Sequence, residues 1–105
     1  MDTNIGKQID EFFEYLEIEK NSSKLTIRDY RHYLEVFANW HSSTLKTDSL
    51  EKLTLADVRK YRVFLANKVD YQGRSLKKVT QNYYVIALRS FLRYLIKNDI
   101  PTLEP

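Results

Sequence analysis

Residues 23–41, SKLTIRDYRHYLEVFANWH, decide how this chain folds. Ile27, Tyr30, Leu34, Phe37, Ala38 and His41 recur at three- and four-residue spacing, which puts them along one face of a helix. Lys24, Arg28, Arg31, His32 and Glu35 fall largely on the other face. Ser23 stands where a cap is needed, because its hydroxyl can accept a bond from a free amide of the first turn. The spacing predicts a helix from Lys24 to about His41, followed by a polar loop from Ser42 to Ser49.

Three more helices follow from the same reasoning. The first is expected from Ile5 to Lys20, with Ile5, Ile9, Phe12, Phe13 and Leu16 as its apolar stripe and Asn21-Ser22-Ser23 as its break. The third starts at Thr54, where Thr54-Leu-Ala-Asp57 has the form of a capping box with Asp in place of the usual Glu. Its expected buried side is Leu55, Val58, Tyr61, Phe64 and Leu65, up to about Asn67, and Leu50 and Leu53 before it should tuck against the core. Tyr71 to Ser75 reads as a loop with Gly73 at its tight point. The fourth helix runs from Leu76 or Lys77 to Lys97, with Val79, Tyr83 or Tyr84, Ala87, Leu88, Phe91 and Leu95 inward, and Pro101 cannot extend it. Only 2 glycines and 2 prolines occur, both prolines within the last five residues, so little interrupts long helices. The fold class expected is all-α, a compact bundle of four main helices with a short fifth as a variant.

The 105 residues make one domain with one modest core. With 43% apolar and 30% charged residues, the composition is that of a water-soluble globular chain. The absence of cysteine excludes disulfides and thiolate metal sites and fits a reducing cytosol, so a cytoplasmic location is expected. No run is apolar for long enough to span a membrane, so no membrane partner is expected. The opening Met1-Asp-Thr-Asn-Ile-Gly6 lacks a basic region followed by an apolar one, so no signal peptide is expected either. Net charge is +3, unevenly spread: residues 1–20 carry two lysines against six acids, and residues 21–105 carry 15 basic against 8 acidic groups. A basic body behind an acidic first helix permits a polyanionic partner.

The chemistry expected of an enzyme is missing. His32 and His41 stand nine apart on one helix with no cysteine or acid pattern to complete a metal site. They read as a surface and a half-buried histidine. Gly6 and Gly73 are the only glycines, so there is no phosphate-cradling loop. Asp10, Glu11 and Glu14 share a solvated face. Of the eight tyrosines, Tyr30, Tyr61 and Tyr84 fall on apolar stripes and Tyr33 and Tyr83 on flanks that can meet a partner. No base is spaced to activate any of them. No catalytic residue, metal or cofactor is expected in this chain.

What remains is a pair of basic helix starts: Lys24, Arg28 and Arg31 with Thr26, and Lys77, Lys78, Gln81 and Asn82 with Thr80. Helix starts attract phosphate through free amides and the macrodipole, and Lys and Arg add charge neutralisation. Thr, Asn and Gln can bond phosphate or base edges. A solvated basic face is the competing reading. The two helices also share a pattern. Thr26, Tyr30, Leu34, Phe37 and Trp40 recur 54 residues on as Thr80, Tyr84, Leu88, Phe91 and Tyr94, which suggests matching roles across one groove. Shared amphipathic period alone is the alternative.

These stretches resemble the tyrosine recombinase, or phage-integrase, family. Ser23 to Trp40 is similar to its S-x-x-T-hydrophobic-x-x-Y-x-x-x-L-x-x-F-x-x-W run, and TQNYYVIALRSFLRYL, residues 80–95, to its T-x-N…A-L-R-S-F-x-R-Y-L helix. Leu53 to Tyr61 and Phe12 to Leu16 resemble the segments between and before them, so the likeness spans roughly residues 8–101 in order. The resemblance implies a SAM-like core-binding domain of four or five helices over residues 1–100. In that family this domain and a C-terminal catalytic domain close on duplex DNA as a clamp. Helices two and four cross the major groove, and cutting uses a tyrosine, two arginines, a lysine and histidines of the other domain. Residues 101–105 would begin the interdomain linker, and the catalytic domain would be absent. Duplex DNA and recombinase protomers on DNA are the implied partners, the isolated domain being monomeric. Two departures stand out. Lys77 replaces the serine often found three before the second Thr, so the cap is expected to shift to Ser75, and Tyr83 and Tyr84 stand where basic residues are common. The rival reading is a helical protein-interaction module docking through its acidic first helix, or a stand-alone DNA-binding regulator. The DNA reading expects the two basic helix starts to lie side by side.

Overall fold

The computed structural model describes residues 2–104. Four helices form, α1 (Ile5–Ile18), α2 (Lys24–Leu45), α3 (Leu55–Asn67) and α4 (Lys78–Lys97), with no fifth helix and no sheet among the described residues. The molecule measures 39 × 31 × 19 Å, so its shortest dimension is about two helix diameters. In a two-layer slab each helix buries one face and leaves the opposite face to solvent.

Local chemistry explains most boundaries. Asn4 caps α1 by accepting from the Lys7 amide, and all five expected stripe residues are buried. Ser23 Oγ accepts from the Thr26 amide at 3.1 Å and starts α2 where expected. The helix then runs a turn past its expected end, to Leu45, before Lys46 turns left-handed at φ 58°. Ser42, read from sequence as loop, is helical and donates its hydroxyl to Asp48. The loop beyond pairs with the chain entering α1, through Ile5 N to Asp48 O (2.8 Å) and Leu50 N to Thr3 O (2.9 Å). His41 is fully buried rather than half-buried, with Nδ1 2.9 Å from the Thr47 carbonyl. A carbonyl only accepts, so Nδ1 carries the proton.

The capping box of α3 is complete: Thr54 accepts from the Asp57 amide and Asp57 from the Thr54 amide. Only Tyr61 and Leu65 of this helix are buried, whereas Leu55 is 55% exposed and Phe64 36%. The inward arc is narrower than the apolar stripe because α3 packs chiefly against one neighbour, α4. In α4, Tyr84 is the inward tyrosine and Tyr83 the outward one, Leu92 joins the core, and Val79 in the first turn stays outside. The expected cap at Ser75 does not form. Lys77 is the N-cap and makes no side-chain cap bond, while Ser75 pairs with Val69 in a single antiparallel bridge. After α4 the chain folds back: the Ile100 amide bonds Leu95 O, and Thr102 Oγ1 donates to Leu50 O at 3.1 Å.

Aromatic rings tie the layers together. Phe12 of α1 meets Phe91 of α4 with ring centroids 5.5 Å apart. Phe37 of α2 meets Tyr61 of α3 at 5.1 Å. Phe37 is entirely buried and also touches Trp40 and His41. Phe37→Ala should therefore cost about 3–5 kcal/mol of folding free energy. Ile18→Ala, at a residue 78% exposed, should change stability by less than about 0.5 kcal/mol. Urea unfolding followed by circular dichroism measures both.

Candidate nucleic-acid interface

Helices α2 and α4 pass each other in opposite senses. Thr26 and Tyr30, early in α2, share a groove with Ser90, Arg93 and Lys97, late in α4. Further along α2, His32 Nε2 lies 3.1 Å from the Tyr84 hydroxyl, and the Tyr33 and Tyr84 rings are 4.5 Å apart. The two basic starts thus do not lie side by side, contrary to the expectation from sequence. Nine residues separate Tyr33 from the start of α2, and six separate Tyr84 from the start of α4, in opposite directions. At 1.5 Å per residue the starts stand on the order of 20 Å apart along the pair. Neither start is sealed inside: Lys24, Thr26, Lys77 and Lys78 are all exposed.

The expected contact residues divide by circumstance. Lys24 and Arg28 point outward, and Arg28 pairs with its neighbour Asp29 at 3.1 Å. Thr26 Oγ1 accepts from Ser23 Oγ at 3.0 Å, within the cap. Arg31 turns to α1, 3.9 Å from Asp10 and with its guanidinium 4.4 Å from the centre of the Phe13 ring. On α4, Lys78 and Asn82 are exposed. Thr80 and Gln81 are half-buried, and Gln81 Nε2 donates to the Leu76 carbonyl at 3.0 Å, bracing the entry to the helix.

Three cations on the same face of α4 escaped the sequence reading. Arg89, Arg93 and Lys97 follow Lys78 and Asn82 at helical spacing, and all are exposed. Among the described residues, neither these three nor Lys77 and Lys78 form a salt bridge. The signal was present: between Asp70 and Asp99 there is no acid, while six basic residues occur. Lys20, at the end of the α1 region, adds a further cation to the groove that holds Arg93 and Lys97.

Between α2 and α4 lies a cleft lined by Thr26, Asp29, Tyr30, Tyr33, Tyr83 and Ile86. Burial first, then Asp29, Tyr83 and Tyr30 around it, push the Tyr33 phenol up from its ordinary value. It stays protonated at neutral pH and can donate a bond. Burial likewise raises Tyr84. No group of three or more His, Asp or Glu suited to a metal ion is found among the described residues. No helix described is long and apolar enough to cross a membrane.

Residues 9–99 match the family described as phage integrase, N-terminal SAM-like domain. Over 87 residues the chain is 37% identical to tyrosine recombinase XerC of Oceanobacillus iheyensis, covering 83% of this chain and 26% of that protein. It is 32% identical over 103 residues to tyrosine recombinase XerC of Bacillus pumilus, covering 98% and 32%. Against tyrosine recombinase XerD of Oceanobacillus iheyensis the figures are 26% over 97 residues, covering 92% and 31%. The chain spans about a third or less of the length of these curated relatives. No solved structure gives a significant match.

The loop that delivers the start of α4 is organised by Asp70. Its carboxylate accepts from the amides of Gln72 (2.8 Å) and Arg74 (2.9 Å) and from the Arg74 guanidinium (3.0 Å), and Gly73 supplies the turn at φ 78°. The Arg74 amide bond, more than the other contacts, holds the Asp70 carboxyl below its ordinary 3.8. A depressed folded value means the loop's order is fully present above pH 3.8 and is lost as pH falls through the folded value. Titration read from the Gln72 and Arg74 amide shifts should give a midpoint below 3.8. A midpoint at or above it would rule this bonding out.

Proposed function

Because the chain belongs to the phage integrase N-terminal SAM-like domain family, we propose that it is the DNA-gripping module of a site-specific tyrosine recombinase. It holds duplex DNA for cutting by a catalytic domain outside this sequence, in the cytoplasm. The module comprises residues up to about 100, and the segment after it leads toward that domain. The observation that carries the reading is the acid-free outer face of α4, whose cations form no salt bridge among the described residues. Charge left uncompensated along a helix face is what a phosphate backbone neutralises, with release of its condensed counterions.

The geometry suits the width of a duplex. The basic starts of α2 and α4, on the order of 20 Å apart, stand further apart than the roughly 12 Å opening of the major groove. One start therefore meets the backbone on one side of the groove and the other start the opposite backbone. Lys24, Thr26 and Arg28 form one grip. Lys77, Lys78 and Thr80 form the other, with Gln81 and Asn82 beside it. Arg89, Arg93 and Lys97 extend the contact along α4. Arg28 and Arg31 each have a carboxylate neighbour, but exposed pairs are worth only about 0–1 kcal/mol, so a phosphate can take over either arginine.

A second reading is favoured by α1. Glu11, Glu14 and Glu19 surround Tyr15, Tyr94 and the exposed Ile18 in an acidic cleft on the other side of Tyr94 from the cationic groove. Such a surface suits a basic protein partner, including another protomer on the same DNA, and repels phosphate. Mixing with a partner protein in the presence and absence of DNA separates the two: a complex formed without DNA supports docking through α1.

The isolated chain should bind duplex DNA weakly and with strong salt dependence. Replacing Lys24, Arg28, Lys77 and Lys78 together by Ala should lower affinity and flatten the plot of log affinity against log salt by about 0.9 for each lost phosphate contact. Fluorescence anisotropy over a salt series measures this, and an unchanged affinity and slope would count against the surface.

A further inference from the structure

We propose that the α2–α4 cleft reads thymine, with Ile86 and Tyr83 receiving the base's methyl group; this deepens the DNA-gripping reading and rests on it. Three exposed apolar side chains interrupt the cationic face of α4: Val79 (51% exposed), Tyr83 (49%) and Ile86 (46%). Helical spacing sets Ile86 in the row of Asn82, Arg89 and Arg93, so the apolar group lies within the charged face rather than at its edge. Ile86 and Tyr83 also line the cleft, facing Thr26, Asp29 and Tyr33 of α2.

That lining selects which part of a duplex can enter. Asp29 is an exposed carboxylate at the cleft, paired with Arg28 at 3.1 Å; once a phosphate takes Arg28, the freed carboxylate repels any phosphate from the cleft itself. The backbone is therefore kept to the cationic flanks, and what faces the cleft is the floor of the major groove. Base edges there offer hydrogen-bond donors and acceptors and a single apolar group, the thymine C5 methyl. Ile86 and Tyr83 supply apolar surface without donors competing for it, apart from the Tyr83 hydroxyl at the ring's far end. Phosphate contacts hold the duplex without sequence information, so the apolar centre of the face is where information can be read.

The test starts from duplexes selected by the 105-residue chain out of a random pool. In the tightest of them, each thymine is replaced in turn by uracil, which removes one methyl and leaves the pairing unchanged. One position, or two adjacent ones, should show an affinity loss of about three- to fivefold, the worth of one buried methyl. Ile86→Ala should abolish that difference while leaving the salt slope as it was, and since Ile86 is an exposed position the fold should be little affected. Uracil insensitivity at every position, or a uracil effect that persists in Ile86→Ala, overturns the methyl contact. In either case a loss of affinity in the Lys77→Ala, Lys78→Ala variant would keep the DNA reading standing. Failure to bind any duplex would sink that reading and this one with it.

Discussion

The seating of α2 on α4 governs the rest of the molecule. Tyr84 is the point where they meet: its ring is buried, and its hydroxyl reaches the edge of the core to pair with His32. The polar end of a buried tyrosine usually finds a partner, and for Tyr84 the exposed His32 supplies one. Tyr33 packs on the same ring. These contacts fix where α2 lies along α4. Leu34 and Phe37 then fall over the core, where Phe37 meets Tyr61, while Thr26 and Tyr30 are carried toward Ser90 and Arg93. The two basic helix starts diverge for the same reason. Helices that pass in opposite senses put their starts at opposite ends, and no change of surface charge alters that.

Much of the fold was legible because it depends on short-range rules. The hydroxyl of Ser23, the Thr54–Asp57 pair and the positive φ of Gly73 each solve a local backbone problem with residues a few positions away. The α1 stripe was legible for another reason: α1 packs against both α2 and α4, so its whole apolar arc is covered. Where a helix has less cover, the stripe overstates burial, as at Leu55 and Phe64 of α3 and at Val79 in the first turn of α4. The end of α2 was hidden because Ser42-Ser43-Thr44 has the composition of a loop. Asp48, six residues past Ser42, accepts its hydroxyl, and the half-buried Leu45 extends the apolar face. The choice between Tyr83 and Tyr84 turned on a rotation of one residue about the helix axis, which periodicity alone does not resolve. The candidate site was legible as a set of residue types and not as an arrangement, since which helix ends lie together is decided by tertiary packing.

Charge is segregated by element more sharply than the net value of +3 suggests. The acids of the α1 region and the cations of α4 come close around Tyr94, where Glu11, Glu14 and Glu19 stand on one side and Arg93 and Lys20 on the other, with Lys97 reaching both. Burial is the main influence holding the Tyr94 phenol up, and the glutamates add to it. A phenol kept neutral is a suitable divider between fields of opposite sign. A duplex lying on α4 would therefore meet attraction along that helix and repulsion past its α1 side, which gives the face a direction as well as an affinity.

An apolar group in the middle of a cationic face adds little to the core, because Ile86 and Val79 are about half exposed and are not among the residues packed against it. Single exposed apolar residues are common on protein surfaces and need no explanation by themselves. The arrangement here differs in that Tyr83 and Ile86 line one cleft wall, with Val79 a turn before them on the same helix, cations before and after them and a carboxylate opposite. For a surface that only neutralised phosphate, a lysine at any of these positions would serve better, and a carboxylate opposite would be a defect. For a surface that also discriminates among sequences, both features have a use: the carboxylate keeps the backbone to the flanks, and the apolar wall responds to the one apolar group a base edge presents. Long-range attraction governs encounter and the hold on the backbone, whereas the preference for one sequence must come from short-range groups whose energy differs between bases.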